Sequence, residues 1–599
     1  MADNRIPKRS EVAKENTWAL EDLYATDDKW FEALAEVDKF CERMQGFKGK
    51  LGESAQSLLS YLRFDDEITD KLERLANYAM RKNDEDTGNS KYVDMRGKFM
   101  GAYVKLNSVS AFAAPEIMAI SDETIEGFYK SEPALELYRR ALTLVRRKKA
   151  HILSEAEERI LAAVGEVCEG PETMAGVFRN ADLKYPDVTD SKGESHQLTS
   201  GSYISLVSGP DRVLRKNAFD TLYTTLMSWK NTSAAFLDGQ MKQLKFYADM
   251  RKYDSTIEAS LDRTEVPTEV YYNLIDAVHE KMPYMYKYTE LRKKLLGVDE
   301  LHMYDLYNPI VADADETITF EQAKEIVKKA LAPLGADYIK NLTIGLESRW
   351  IDVYENEGKR SGAYSAGGRP HPYVLLNHKD NLDCMFTLAH EMGHAMHSFY
   401  SCQNQPTVYA EYVIFVAEVA STCNEVLLMK YLLANTTDKS KKAYLINHFL
   451  EQYRTTLYRQ TMFAEFELEL NRMVERGEAL TADALNQKYY DLNKLYYGDK
   501  MVVDDLIAVE WSRIPHFFYN YYVFQYATGF SAAVALANRI LTLGEPAVKD
   551  YLKFLSSGGS ADPISLLKIA GVDMSTPVPV KSALDMFGEL IDEMGDLLK

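Results

Sequence analysis

Residues 383–398 read DCMFTLAHEMGHAMHS, and the spacing inside this stretch decides the rest. Met385, Leu388, Met392, Ala395, Met396 and the following Phe399 recur at helical intervals and form one apolar stripe. His390 and His394 stand one turn apart on another face, where two imidazoles can converge on one metal ion. Glu391 adjoins the first imidazole, so its carboxylate can act as base on an attacking water. Gly393 interrupts the helix interior, where glycine costs ~1 kcal/mol relative to alanine. Its presence predicts close approach by another backbone or a ligand. The pattern points to metal-assisted hydrolysis. Because a bare match of this length also arises by chance, its context has to carry the assignment.

A catalytic zinc site takes a third protein ligand and keeps one position open. A third histidine at position 400 is excluded by Tyr400, and a glutamate at 413 or 414 by Val413 and Ile414. The next candidate is Glu418, set in the apolar run from Tyr412 to Ala420. A lone carboxylate is costly to bury unless it is paired or bound to a cation, which favours a ligand over a solvated acidic stripe. On a continuous helix Glu411, Glu418 and Glu425 share a face, and Glu425 is placed to hold a ligating imidazole in its tautomer. Asp383, two turns before His390, is a second candidate for that task. His397 shares the histidine face and reads as a hydrogen-bonded neighbour, not a ligand.

Outside this region the chain is long, helical and acidic. Its 599 residues exceed one ordinary domain, and 46% hydrophobic residues suffice for a large core. Only 31 glycines and 18 prolines break the pattern, which predicts a mainly helical protein. The net charge of −20 opposes binding to nucleic acid or anionic membrane. The polar start of the chain lacks a signal-peptide core, and no segment reaches the ~18 apolar residues of a membrane span. Five scattered cysteines suggest a reduced, cytoplasmic setting. The basic run from Arg146 to Lys149 reads as a solvated helix face.

Two stretches depart from the helical pattern. Tyr185–Ser202 is rich in turn formers and predicts a boundary or hairpin. Gly358–Pro372 is rich in glycine and proline and leads into a short strand from Tyr373, so one small sheet is expected beside the motif helix. Backbone groups there, around Tyr364, Gly367 and Gly368, could hold an extended peptide. Farther on, Tyr519, Tyr522 and Tyr526 fall at helical intervals after Pro515 and His516. An aromatic core stripe is the plainer reading of such a pattern. Three phenols and a histidine also suit stabilisation of an oxyanion.

These motifs together resemble the oligoendopeptidase F family, among the thimet-oligopeptidase-like zinc peptidases. The resemblance covers nearly the whole chain, from Thr17–Tyr24 and Gly201–Leu206 through Gly362–Ser365, Thr387–Ser398 and Glu418–Ser421 to His516–Gly529. It implies one zinc ion per chain on His390, His394 and Glu418, with Glu391 as base. It also implies transition-state stabilisation by His516 with Tyr519, Tyr522 or Tyr526, without deciding which tyrosine donates. The implied fold is mainly α, two-lobed and neurolysin-like, with a deep substrate channel. The expected division is 1–112, 113–195 and 196–599, the last being catalytic. The expected activity is cleavage of internal bonds in short unstructured peptides by a cytoplasmic monomer or weak homo-oligomer. The alternatives are a dipeptidyl carboxypeptidase-type exopeptidase on the same scaffold and a non-catalytic peptide-binding homologue.

Overall fold

The computed structural model describes residues 5–311 and 317–599. They are predominantly helical, as the composition predicts, and cluster into two compact units. One combines Met1–Ala150, Glu316–Lys430 and Leu536–Gly571; the other combines His151–Asp315, Tyr431–Ala535 and Val572–Lys599. Each unit is therefore drawn from three separated stretches. Among the described residues no helix is long and apolar enough to cross a membrane.

In the first unit a 31-residue helix, Ala55–Glu85, starts where the Ser54 hydroxyl accepts from the Ser57 N–H at 3.2 Å. Its inner face buries Leu58, Leu59, Phe64, Ile68 and Leu75. The glycine-rich stretch contains more order than its composition suggests. Strands β1 (Ile351–Asp352), β2 (Tyr364–Ala366) and β3 (Tyr373–Leu375) form a sheet in the order β1-β3-β2, with β3 parallel to β1 and antiparallel to β2. Tyr364 pairs with Leu375, Ser365 with Val374 and Ala366 with Tyr373, which leaves β2 at the edge, packed beside the motif helix. All of β3 is buried.

The early segment around Trp18 belongs to this same core. The Trp18 indole donates to the Val374 carbonyl at 2.7 Å, and the Arg349 guanidinium reaches the Trp18 carbonyl at 2.5 Å. Residues more than 330 positions apart thus meet at the central strand. The late stretch closes the other side: the Gly559 N–H donates to the Tyr409 carbonyl at 2.9 Å, and the Phe554 ring lies 5.1 Å from that of His397.

The second unit contains the hairpin predicted at Tyr185–Ser202, in which Val188 pairs with His196 and Thr189 with Ser195. Its core buries the Glu510 carboxylate, which accepts from Tyr223, Tyr489 and Arg459 at 2.9, 2.6 and 2.8 Å. Burial opposes its charge, but Arg459 and Arg513 prevail and hold its pKa down to about 2.

Trp18→Phe keeps an aromatic side chain, though a smaller one, and leaves the buried Val374 carbonyl without this donor. It is expected to cost about 1–3 kcal/mol, read as a lower midpoint of thermal unfolding; an unchanged midpoint would show that the indole bond contributes nothing.

Candidate metal centre

The motif helix runs Leu382–Asn404 and begins where the Asn381 side chain accepts from the Cys384 N–H at 2.9 Å. Its apolar stripe is buried: Met385, Leu388, Met392, Ala395 and Met396 are all fully inaccessible. The next long helix, Ile414–Asn435, crosses it at Gly393. A Cβ on Gly393 would lie 2.5 Å from Ser421 Cα and 2.8 Å from the Ala420 carbonyl oxygen. The predicted close approach is therefore backbone against helix. Asn424 ties the crossing by donating to the Ala389 carbonyl at 3.1 Å, and Tyr338 donates to Asn424 at 3.1 Å.

This crossing sets Glu418 over the two histidines. His390 Nε2 and His394 Nε2 are 3.2 Å apart, and Glu418 Oε2 lies 3.3 Å from the first and 3.5 Å from the second. Ligands ~2.0–2.1 Å from zinc at tetrahedral angles stand ~3.3–3.4 Å apart. The triangle fits one such ion. The Glu418 side chain remains 39% exposed, so water can reach the triangle. The Ser421 hydroxyl donates to the Glu418 carbonyl at 3.0 Å and lies 3.4 Å from its carboxylate, which gives the Glu-x-x-Ser spacing a physical basis.

Glu425 accepts a short hydrogen bond from His390 Nδ1, as its position on the helix predicts. That bond turns Nε2 toward the triangle. Without metal, burial disfavours the His390 cation, yet Glu418 and Glu425 outweigh it and raise its pKa to about 10. Glu418 is disfavoured as an anion by burial but is held well below the carboxylate range by the same histidines. Binding a cation substitutes for those protons. Glu391 is buried, its Oε2 without a hydrogen-bond partner, and burial shifts its pKa upward. A carboxylate so placed is primed to take a proton.

Six residues sit otherwise than expected in detail. Asp383 sits exposed in the first turn, where a carboxylate suits the helix dipole, and the His390 Nδ1 it was a candidate for is engaged by Glu425. Glu411 does not share a helical face with Glu418, because the chain is extended at 411 and the helix begins at Ile414. The Tyr364 side chain turns inward, donating to Asp84 at 2.6 Å, so only its backbone is placed on the sheet edge. Gly367 and Gly368 are packing positions: a Cβ would come 2.8 Å from Ser398 Oγ at the first and 2.6 Å from Glu73 and Asn77 at the second. His397 is not hydrogen-bonded through Nδ1. It stacks on Tyr412, ring centroids 3.7 Å apart, and burial lowers its pKa to about 3, so it is neutral.

A cavity of about 780 Å³ was not foreseen. It is lined by Asp65, Asp66, Glu73 and Glu411 beside Gly368 and Ser398. Burial pushes Asp65 up to about 6 and Glu73 up to about 7. Its lining residues come from five separated parts of the chain, between Met44 and Tyr412, so no local pattern announces it.

In the second unit, His516 and the tyrosines do gather, but not on one helix. Pro515–Phe518 is a 3-10 turn, and the α-helix starts only at Phe524. Between them Asn520 and Tyr521 are both left-handed, at φ 57°. A bulky residue in this region costs ~1–3 kcal/mol and persists only where its surroundings dictate it. Here Gln240 donates to the Phe518 carbonyl at 3.1 Å and to Asn520 Oδ1 at 2.9 Å, while the Tyr521 N–H donates to Glu467 at 2.6 Å. The turn brings Tyr519, Tyr522 and Tyr526 to ring distances of 5.5, 6.4 and 5.9 Å from His516. Tyr526 Oη lies 3.4 Å from His516 Nε2, and Tyr519 is 46% exposed.

Against known proteins, residues 205–586 match Peptidase family M3 and residues 116–185 match Oligopeptidase F. Oligopeptidase PepF of Bacillus subtilis is 46% identical over 596 residues, spanning 99% of this chain and 89% of its own. An oligoendopeptidase F homolog of Lactococcus lactis is 39% identical over 99% of this chain and 98% of its own. The crystal structure of oligoendopeptidase-F from Enterococcus faecium aligns with a TM-score of 0.73 at 36% identity, covering 96% of this chain and 99% of that one. A Chlamydophila abortus structure aligns with a TM-score of 0.93 at 34% identity, covering 99% and 100%.

Gly393→Ala inserts a methyl group into the helix crossing and is expected to lower zinc affinity by tenfold or more, measured by competition with a chromophoric chelator. Glu425→Ala is expected to weaken zinc binding by about 10–100-fold; full affinity in both variants would separate the triangle from its supports.

Proposed function

The chain belongs to peptidase family M3, and from that membership we propose that His390, His394 and Glu418 hold one zinc ion per chain with Glu391 as general base. It is a metalloendopeptidase of the oligoendopeptidase F kind, acting on peptides. The observation that carries the site is the triangle of ligand atoms 3.2–3.5 Å apart.

When bound, zinc supplies Lewis acidity, polarising a carbonyl and acidifying water. The protein's part follows from its own groups. Glu425 fixes the His390 tautomer, so that Nε2 presents its lone pair to the ion. Glu391, raised in pKa by burial, accepts the proton of the attacking water and returns it to the leaving amine. His516, together with Tyr519, Tyr522 or Tyr526, donates to the developing oxyanion. Strand β2, at the sheet edge beside the motif helix, pairs with the peptide backbone, while Gly367 keeps the chain after it close to Ser398 and Gly368 keeps it close to Glu73 and Asn77. Backbone pairing tolerates varied side chains, which suits short unstructured peptides. Asp383 contributes to the helix start.

We further propose cytoplasmic action as a monomer or weak homo-oligomer, without nucleic acid or membrane as partner. Five cysteines free of disulfides and a net charge of −20 support that reading.

Glu391→Gln should retain zinc and fold while losing about 10²–10⁴-fold in kcat, followed on a fluorogenic peptide blocked at both ends. Chelation should abolish cleavage and added zinc restore it. Mass spectrometry of the products decides the class: an exopeptidase would leave doubly blocked peptides intact, and a binding protein would leave every peptide intact.

A further inference from the structure

Glu467 lies in the helix Arg459–Glu475 and is fully buried. Unlike Glu510 in the same unit, it has no arginine acting on it among the described residues. Its Oε1 accepts from the Tyr521 N–H at 2.6 Å, and its Oε2 has no hydrogen-bond partner. Burial pushes its pKa up to about 8, offset only in part by that one bond. A carboxyl in such a place is a poor filler of space. What it supplies is an acceptor for a peptide N–H that no helix can satisfy, since the 3-10 turn has ended and the next helix begins at Phe524.

That N–H belongs to a residue held left-handed at φ 57°. The Tyr521 side chain is anchored separately, its hydroxyl 2.9 Å from Thr256 Oγ1. The following residue, Tyr522, is then aimed back so that its ring stacks on His516 at 6.4 Å and 19° and meets Tyr526 at 5.4 Å. Were residue 521 to relax into the right-handed region, Tyr522 would leave this group. We propose that Glu467 is a positioning residue, which pins the Asn520–Tyr521 turn and thereby sets Tyr522 and Tyr526 around His516. The inference rests on the reading of these three groups as oxyanion donors.

The test compares Glu467→Gln and Glu467→Leu with His516→Ala, Tyr522→Phe and Tyr526→Phe, all as full-length zinc-loaded enzyme. The Leu variant should lose about 10–100-fold in kcat, the scale of a misplaced catalytic group, with KM and zinc content little changed. The Gln variant keeps an acceptor and should restore kcat to within about twofold of the parent. Normal kcat in the Leu variant, while the His516 or tyrosine variants are impaired, overturns the inference alone. Normal kcat in all three donor variants overturns the donor reading, and the inference with it. If the Leu variant fails to fold, amide exchange in the unmodified protein decides: the Tyr521 N–H should exchange slowly, and fast exchange overturns the proposal.

A pH readout accompanies it. The titratable groups facing Glu467 are Tyr271 of the helix Thr268–Glu280 and Tyr521 itself, neither of them cationic. With the folded pKa raised from 4.5 to about 8, the stability from the bound proton is fully present below 4.5 and lost as pH rises through 8. The midpoint of thermal unfolding of the parent should therefore fall relative to Glu467→Gln between pH 5 and 8; parallel curves would count against a neutral, buried Glu467.

Discussion

The contact of Gly393 with the backbone at Ala420 and Ser421 is the constraint from which the metal centre follows. Two helices can carry ligands for one ion only if their axes approach within reach of short side chains. A Cβ at 393 would hold the second helix away, and the Glu418 carboxylate would no longer close the triangle with the imidazoles. The crossing also brings Asn424 to the Ala389 carbonyl and Glu425 to His390. One helix face, read from 418 to 425, thus supplies a ligand, the group that orients another ligand, and the hydrogen bonds that lock the pair. The energetic logic is that of a preorganised site. The cost of gathering buried carboxylates and imidazoles is met during folding by packing elsewhere, notably the buried stripe of the motif helix and the sheet edge beside it.

Much of this was legible because the signals are local and periodic. The i and i+4 histidines, the glycine between them and the lone Glu418 each carry a physical expectation that needs no distant residue, and Glu425 follows from Glu418 by two turns. The hairpin at 185–202 was announced by turn formers, and the strand from Tyr373 by the glycine- and proline-rich run that leads into it. Two of the failures share one reason: a period persists in the sequence where the helix is interrupted. Glu411 keeps the seven-residue interval to Glu418, but the chain is extended at 411 and the helix begins only at Ile414. The tyrosine stretch keeps a helical interval, but Gln240 and Glu467, far away in sequence, hold it in a left-handed turn. Asp383 and Tyr364 were assigned by proximity in sequence, and each finds a different local use. The acidic cavity and the units themselves are assembled from separated stretches, which no window along the chain can reveal.

The treatment of buried carboxyls within one unit is instructive. Glu510 is surrounded by two arginines and two tyrosines and is kept charged. Glu467 has one peptide N–H and is driven toward neutrality. The same residue type at equal depth serves either as an electrostatic hub or as an uncharged hydrogen-bond acceptor, and the neighbours decide which.

The three-stretch construction of the unit that holds the triangle has a consequence for synthesis. A ribosome releases both histidines and Glu418 well before Leu536–Gly571, the segment whose Phe554 and Gly559 pack on His397 and Tyr409. Chains emerge from the amino end and fold as whole units. The unit therefore lacks one of its walls until Leu536–Gly571 has been made. Packing over His397 and Tyr409 is in this way tied to the order in which the separated stretches arrive.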